Sequence, residues 1–114
     1  MSAVNALGAA QVRDAAPLFA ALGDETRLGI LVRLSRGGPG SIARLSERSR
    51  VSRQAITKHL ELLSDAGLVR SAWRGRERIW EIEPDRLTEA HAYLDKISRQ
   101  WDDALDRLKA FVEE

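Results

Sequence analysis

The stretch VSRQAITKHLELLSDAGLV, residues 51–69, decides the fold. Its large apolar residues recur three and four positions apart, at Ile56, Leu60 and Leu63. That spacing places them on one side of a helix, facing a core. Ser52 is positioned to cap the start of this helix and Gly67 to end it, so we expect the helix to reach about Ala66.

The side of this helix that faces away from the apolar residues is polar. It presents Arg53, Gln54, Thr57, Lys58 and Glu61. In a DNA major groove, Gln54 could hydrogen-bond adenine at two atoms and Arg53 could bond guanine at two atoms, while Thr57 offers a hydroxyl and a methyl group. The pattern therefore favours a helix that reads DNA over an ordinary solvated helix surface.

Neighbouring residues suit the phosphate backbone. Ser52, together with the unpaired amides at the helix N-terminus, can hold a phosphate. Lys58 and Arg50 are better placed for phosphates than for bases, so they would set position and not sequence. We interpret His59 as a packing or hydrogen-bonding residue that could also touch a phosphate.

Three further helices are predicted before this one, over residues 14–22, 24–36 and 41–48. Asp14 and Asp24 would cap the first two, with Pro17 in the first turn of the first helix. The second would direct an apolar stripe inward, formed by Leu28, Leu31 and Leu34. The third helix, a tight turn and the helix after Ser52 form a helix-turn-helix pattern. We predict a flexible N-terminal segment over residues 1–13 and a single domain over residues 14–114.

A β-hairpin is predicted next, because residues 68–74 and 78–83 are rich in Val, Ile and Trp and flank a turn that contains glycine. The hairpin is basic, with four arginines against one acid between positions 70 and 78. A basic loop beside a recognition helix can reach the flanking DNA backbone or a narrow minor groove. We therefore predict DNA contacts from Arg74, Arg76 and Arg78, the alternative being charge that protects a surface hairpin against aggregation.

A single long helix is predicted over residues 85–112. Its apolar residues alternate spacings of three and four for nearly four heptads, and they include Leu94, Ile97, Trp101, Leu105 and Leu108. A domain this small cannot cover both faces of such a helix, so a partner is implied. The fold class is thus mostly α: a winged helix-turn-helix with a small β-hairpin wing and a long C-terminal helix that requires a partner.

The charge of the chain is divided along its length. Residues 41–78 hold nine Arg/Lys against four Asp/Glu, whereas residues 79–114 hold five against ten. The net charge of +1 therefore hides a basic middle that can attract an anionic partner.

Several classes of protein are excluded by what the sequence lacks. With no cysteine, disulfides and thiolate metal sites cannot form. There is no apolar run of about 20 residues for a membrane span and no signal-peptide pattern, so we expect a cytoplasmic protein without a membrane partner. The chain has no phosphate-binding glycine loop and no cluster of histidines with carboxylates, so we expect neither an enzyme nor a cofactor.

Three motifs carry a resemblance to a known family: LGDETRL at residues 22–28, VSRQAITKHLELL at 51–63 and AGLV at 66–69. Over about residues 15–112, the chain resembles the arsenic-repressor (ArsR) family of bacterial winged-helix transcription regulators. The resemblance implies a homodimer that binds double-stranded operator DNA and usually represses its own operon. It also implies a dimer interface from the last helix, helped by the first, with Leu18, Leu94, Ile97, Trp101, Leu105 and Leu108.

Many members of that family sense metals through cysteines or through Asp and His residues on the last helix. Here residues 46–49, just before the recognition helix, include no cysteine, and Asp95 is the one ligand candidate close to His91. The segment ISRQWDDALDRLKAF, residues 97–111, resembles a metal-free subset. We therefore predict no metal site, and the inducing signal is left open.

Two other functions fit the same pattern. A winged-helix module could use its hairpin or long helix on a protein partner, with DNA binding weak or absent. Alternatively, DNA binding could be architectural and non-specific, in which case Arg53, Gln54 and Thr57 would be dispensable and the wing arginines would not.

Overall fold

The computed structural model describes residues 8–113. The elements are α1 (Ala9–Leu22), α2 (Glu25–Gly37), β1 (Gly40–Ser41), α3 (Ile42–Leu45), α4 (Arg53–Asp65), β2 (Val69–Arg74), β3 (Glu77–Ile82) and α5 (Pro84–Glu113). Helices α3 and α4 form the helix-turn-helix, and β2 and β3 form the wing. The predicted fold class, a winged helix-turn-helix with a long last helix, is confirmed.

Short polar side chains begin three of the helices, as predicted. The Asp24 carboxylate accepts the backbone N–H of Arg27 at 3.0 Å at the start of α2. The Ser52 hydroxyl accepts the N–H of Ala55 at 3.2 Å at the start of α4. Each bond satisfies an amide that has no partner inside its own helix, which fixes where the helix begins.

Helix α1 begins five residues before the position we predicted from Asp14. Its cap is Gly8, whose backbone N–H donates to Oε1 of Gln11 at 3.1 Å. Residues 9–13 of the segment predicted to be flexible are therefore helical, while residues 1–7 lie outside the described residues. Pro17 is consequently inside the helix and not in its first turn. The prediction failed because glycine caps a helix without the side-chain signal that Asp or Ser gives.

The core lies between the helices and the sheet. Ile56, Leu60 and Leu63 of α4 are all buried, as their spacing predicted. In α2 the buried residues are Ile30, Leu31 and Leu34. Leu28 is 46% exposed, so its predicted inward position was wrong: the buried face of α2 is rotated toward Ile30.

The sheet has a third strand that the sequence did not predict. β1 pairs with β3, with Gly40 opposite Trp80, and the strand order is β1-β3-β2, all antiparallel. Two residues are too few to show an alternating pattern, so no sequence signal marked β1. The strand joins the start of α3 to the wing.

Helix α3 is shorter than predicted, ending at Leu45 and not near Arg48. Arg48 has a φ of 59°, in the left-handed region, and so belongs to the turn. At the wing tip, Gly75 has a φ of 60°, and two residues join β2 to β3. Glycine at the first position of such a turn permits the twist of a tight hairpin.

Helix α5 extends far beyond the core. Its first half packs on α1, with Ala90 buried and the rings of Phe19 and Tyr93 5.6 Å apart. Every residue from 98 to 113 is exposed. The molecule is therefore 67 Å long but only 27 by 20 Å across. Within residues 8–113, no helix has both the length and the apolar character that crossing a membrane requires.

Candidate nucleic-acid interface

The outer side of α4 is available to a partner. Arg53, Gln54 and Lys58 are exposed, and their side chains make no hydrogen bond or ion pair with any residue described in the structure. Glu61 is exposed on the same side. The helix thus presents two cations and an amide to solvent, while Ile56 fixes its opposite side in the core. These side chains are available to bind an anionic partner that has hydrogen-bonding groups.

Thr57 contributes less to this surface than the sequence suggested. Its hydroxyl donates to the backbone carbonyl of Arg53 at 2.8 Å, and the residue is half-buried. While that bond holds, the hydroxyl can accept a hydrogen bond from a partner but cannot donate one. The methyl group remains available for apolar contact.

Ser52 and Arg50 lie at the start of α4. The oxygen of the Ser52 hydroxyl is used as the helix cap, but its proton is still available to donate to a phosphate. Arg50 is exposed and, within residues 8–113, has no ion-pair partner. The two residues are compatible with the phosphate contacts predicted for them.

His59 lies away from the polar side of α4, about 200° around the helix from Thr57. Its Nδ1 is 3.3 Å from Nη1 of Arg27 and 3.9 Å from Oδ2 of Asp24. The side chain is 22% exposed. His59 therefore contacts the junction of α1 and α2, which agrees with the packing role predicted and not with a phosphate contact.

Arg27 ties three helices together at this junction. Its Nε donates to the carbonyl of Ala21 at 2.7 Å, at the end of α1, while Nη1 reaches His59 of α4. The backbone N–H of Arg27 also holds the pKa of Asp24 below its ordinary value of 3.8, because it donates to the carboxylate. The LGDETRL motif thus positions α4 relative to α1 and α2, a role that the motif alone did not reveal.

Two arginines outside α4 hold the helix-turn-helix in shape. Arg33 of α2 donates to the carbonyls of Leu45, Arg44 and Glu47, at the end of α3. The Arg44 side chain in turn donates to Gly37 and Pro39 at 2.9 and 3.2 Å. Both guanidinium groups donate hydrogen bonds to backbone carbonyls, so these two arginines stabilise the backbone around α3.

The basic residues of the wing differ in what they can bind. Arg70 is paired with Glu81 at 2.8 Å and with Glu83 at 2.7 Å. The hydrogen bond to Glu81 and the charge of Glu83 raise the pKa of Arg70. Arg74 and Arg76 are exposed and have no ion pair within residues 8–113. The positive charge available to a partner is therefore concentrated at the tip.

Arg78 is half-buried and makes contacts within the chain, while its predicted DNA contact stays a prediction. Its Nε donates to the Ser71 hydroxyl at 2.8 Å, and its guanidinium carbon lies 4.4 Å from the centroid of the Trp80 ring. The register pairs Ser71 with Trp80, so all three side chains share the face that covers the core. Arg78 braces the wing one residue pair below its turn.

An apolar stripe is left exposed on α5. Exposed fractions are 51% for Leu94, 69% for Trp101, 56% for Leu105 and 58% for Leu108, and Ile97 is half-buried. Leu18, predicted to join this interface, is 1% exposed in the chain's own core. This burial contradicts the predicted place of Leu18 in the interface, whereas the exposed α5 residues stay predictions.

His91 and Asp95 form an exposed pair on α5, with Nδ1 3.5 Å from Oδ2. Within residues 8–113, no group of three or more His, Cys, Asp or Glu side chains is arranged to hold a metal ion. A single pair one helical turn apart is an ordinary surface contact.

Comparison with known proteins agrees with this geometry. A helix-turn-helix domain family matches residues 22–72. An ArsR-like transcriptional regulator from Rhodococcus sp. RHA1 superposes with a TM-score of 0.78 and 39% identity, over 90% of this chain and 95% of that one. The chain belongs to the ArsR family of transcriptional regulators.

Other relatives of this ArsR-family regulator give the same result. The structure of the ArsR family transcriptional regulator RHA00566 is 32% identical with a TM-score of 0.71, over 79% of this chain and 92% of that one. The HTH-type transcriptional regulator Rv2034 of Mycobacterium tuberculosis is 36% identical, over 67% of this chain and 70% of that protein. The relatives are transcriptional regulators and not enzymes, and the regulator's helix-turn-helix is a DNA-binding unit.

Proposed function

We propose that the protein is a homodimeric repressor that binds an inverted-repeat operator in double-stranded DNA. The observation that carries the proposal is the outer side of α4. There Arg53, Gln54 and Lys58 are exposed, and their side chains make no hydrogen bond or ion pair with the rest of the described chain. A dimer with two-fold symmetry presents two such helices, and an inverted repeat matches that symmetry.

The contacts divide between bases and phosphates. Gln54 and Arg53 are the base-reading residues, since each can make two hydrogen bonds to one base edge. Arg50, Ser52 and Lys58 contact phosphates beside the groove. Arg74 and Arg76 extend the positive surface to the flanking DNA, where the contact adds affinity and little sequence preference.

The partner of α5 is the same helix of a second chain. Residues 98–113 are not covered by any other part of residues 8–113, yet they include Trp101, Leu105 and Leu108. Burying each large apolar side chain contributes about 1.5–3 kcal/mol, so a shared seam of several can exceed the cost of association. Repression follows the usual mode of the ArsR family, because a dimer bound at its own promoter blocks transcription.

Specific binding is tested with the DNA immediately upstream of the protein's reading frame. At near-physiological salt, we expect this duplex to bind about a thousandfold more tightly than a scrambled duplex of the same composition, measured by gel shift. Equal affinity for the two duplexes would contradict sequence-specific regulation and would favour non-specific, architectural DNA binding.

A further inference from the structure

The wing carries a tryptophan that the described part of the chain leaves exposed. Trp73 is 69% exposed, whereas Trp80 is completely buried. Trp73 pairs with Arg78, and Ser71 pairs with Trp80, so both tryptophans lie on the same face of the sheet. The core covers this face at Trp80 and stops before Trp73, which projects beyond it near the tip.

The base from which this indole projects is held firmly. Arg78, the cross-strand neighbour of Trp73, is bonded to Ser71 and stacked on the Trp80 ring. The register of β2 and β3 is continuous from Val69 to the turn. Trp73 is therefore presented on a braced two-stranded ribbon and not on a loose loop.

The surroundings of Trp73 are cationic. Arg74 follows it in the strand and Arg76 is in the turn, and both are exposed without an ion pair in the described chain. Side chains alternate between the faces of a strand, so the indole and the Arg74 side chain lie on opposite faces of the ribbon. The tip thus combines one apolar ring with two guanidinium groups.

We propose that Trp73 is a DNA contact, its indole packing against the deoxyribose walls of the groove beside the recognition site. Arg74 and Arg76 then reach the phosphates that border the same groove. This inference rests on the proposed function and assigns to the wing an uncharged contact in addition to its charged ones. Apolar side chains beside cations are a recurring means of binding the minor groove.

A duplex fits this tip better than a protein does. Within residues 66–93, Trp73 is the single large hydrophobic residue that is exposed, and arginines adjoin it. Exposed apolar patches that mark protein docking sites are large and contiguous. A duplex offers phosphates on the outside and sugars within, which matches a ring bordered by guanidinium groups.

Affinity and its salt dependence test the proposal. Trp73→Ala should weaken binding to the duplex from upstream of the reading frame by about tenfold, and Trp73→Phe should retain most of the affinity. The slope of log affinity against log salt should not change, because no charge is removed. Arg76→Ala is the matched control and should flatten that slope by about one. Thermal unfolding of Trp73→Ala should follow the wild type, since the side chain is exposed.

A direct signal comes from the full-length protein labelled with 5-fluorotryptophan, with the Trp73 resonance assigned by Trp73→Phe. On saturation with the upstream duplex, the fluorine resonance of Trp73 should shift and lose its solvent-isotope effect, while that of Trp80 stays in place. Full affinity of Trp73→Ala, or a Trp73 resonance unmoved by DNA, overturns the inference and points to a protein partner. Failure of the wild type to bind both the upstream duplex and the scrambled duplex overturns the proposed function as well.

Discussion

Single side chains decide what α4 can offer to DNA. The Thr57 hydroxyl donates to its own helix backbone at 2.8 Å, and His59 contacts Arg27 at the junction of α1 and α2. Arg53 and Gln54 have no such engagement within the described chain. We therefore assign the sequence preference mainly to these two residues.

Substituting either residue should relax sequence preference locally. Gln54→Ala or Arg53→Ala should cost about 1–3 kcal/mol at particular base pairs, because a two-bond contact to one base is lost. The measurement is affinity for a set of operator duplexes that each carry one changed base pair. Arg76→Ala is the control and should weaken all the duplexes about equally. If Arg76→Ala changed the preference and Gln54→Ala did not, the groove assignment would be reversed.

The exposed side of α4 was predictable from the sequence, whereas the hydrogen bonds and ring contacts of individual side chains were not. Helical periodicity alone separates Gln54 and Lys58 from Ile56. The bonds of His59 and Arg78 depend on Arg27 and Trp80, which approach only through the packing of α2 and the register of the wing. The register places Trp73 and Trp80 on the same face, and Trp73 is exposed because it lies nearer the tip, beyond the core.

At the scale of elements, the start of α2 links α4 to the rest of the domain. Asp24 caps α2, and its carboxylate lies 3.9 Å from His59 of α4. The backbone bond from Arg27 lowers the pKa of Asp24. The ionised carboxylate of Asp24 therefore stabilises the folded state. This stabilisation is present above pH 3.8 and is lost as the pH falls through the folded-state pKa.

Asp24→Asn isolates this effect, because asparagine keeps a capping oxygen but does not titrate. We expect the wild type to be the more stable of the two at about pH 5 and its advantage to shrink as pH is lowered to about 3. Chemical denaturation of both proteins across this range measures the difference in unfolding free energy. A difference that stays constant with pH would show that the carboxylate charge contributes nothing to folding.

The last half of α5 should act as a dimerisation element. Trp101→Ala should raise the dimer dissociation constant about thirtyfold or more, because a large aromatic ring at the centre of an interface contributes about 2 kcal/mol or more. Asp103→Ala is the matched control, since this residue lies about 200° around the helix from Trp101. Sedimentation equilibrium over a dilution series gives the dissociation constants of the wild type and the two variants. Equal dissociation constants for Trp101→Ala and the wild type would place the interface elsewhere.

Some helices and strands could be predicted from the sequence and others could not. Asp24, Ser41 and Ser52 predicted three helix starts because their side chains cap helices. The start of α1 at Ala9 was missed because Gly8 gives no such signal, and β1 because two residues carry no pattern. Leu18 was assigned to the interface because the family resemblance implies a contribution from the first helix, and the sequence does not show which surface buries this residue.

For the whole molecule, the division of charge matches the division of tasks. The basic stretch, residues 41–78, contains α4 and most of the wing. The acidic stretch, residues 79–114, contains α5. A dimer joined through α5 would direct its positive surfaces to DNA and its negative helices away. The sequence predicts this arrangement but not the angle between protomers, which depends on how two α5 helices pack together.

The most direct test of the dimeric-operator claim is hydroxyl-radical footprinting on the DNA upstream of the reading frame, with the mass of the complex measured in parallel. We predict two protected patches related by two-fold symmetry, with centres about 10 bp apart or a small multiple of that, and two chains per duplex. A single unsymmetrical patch occupied by one chain would contradict the account.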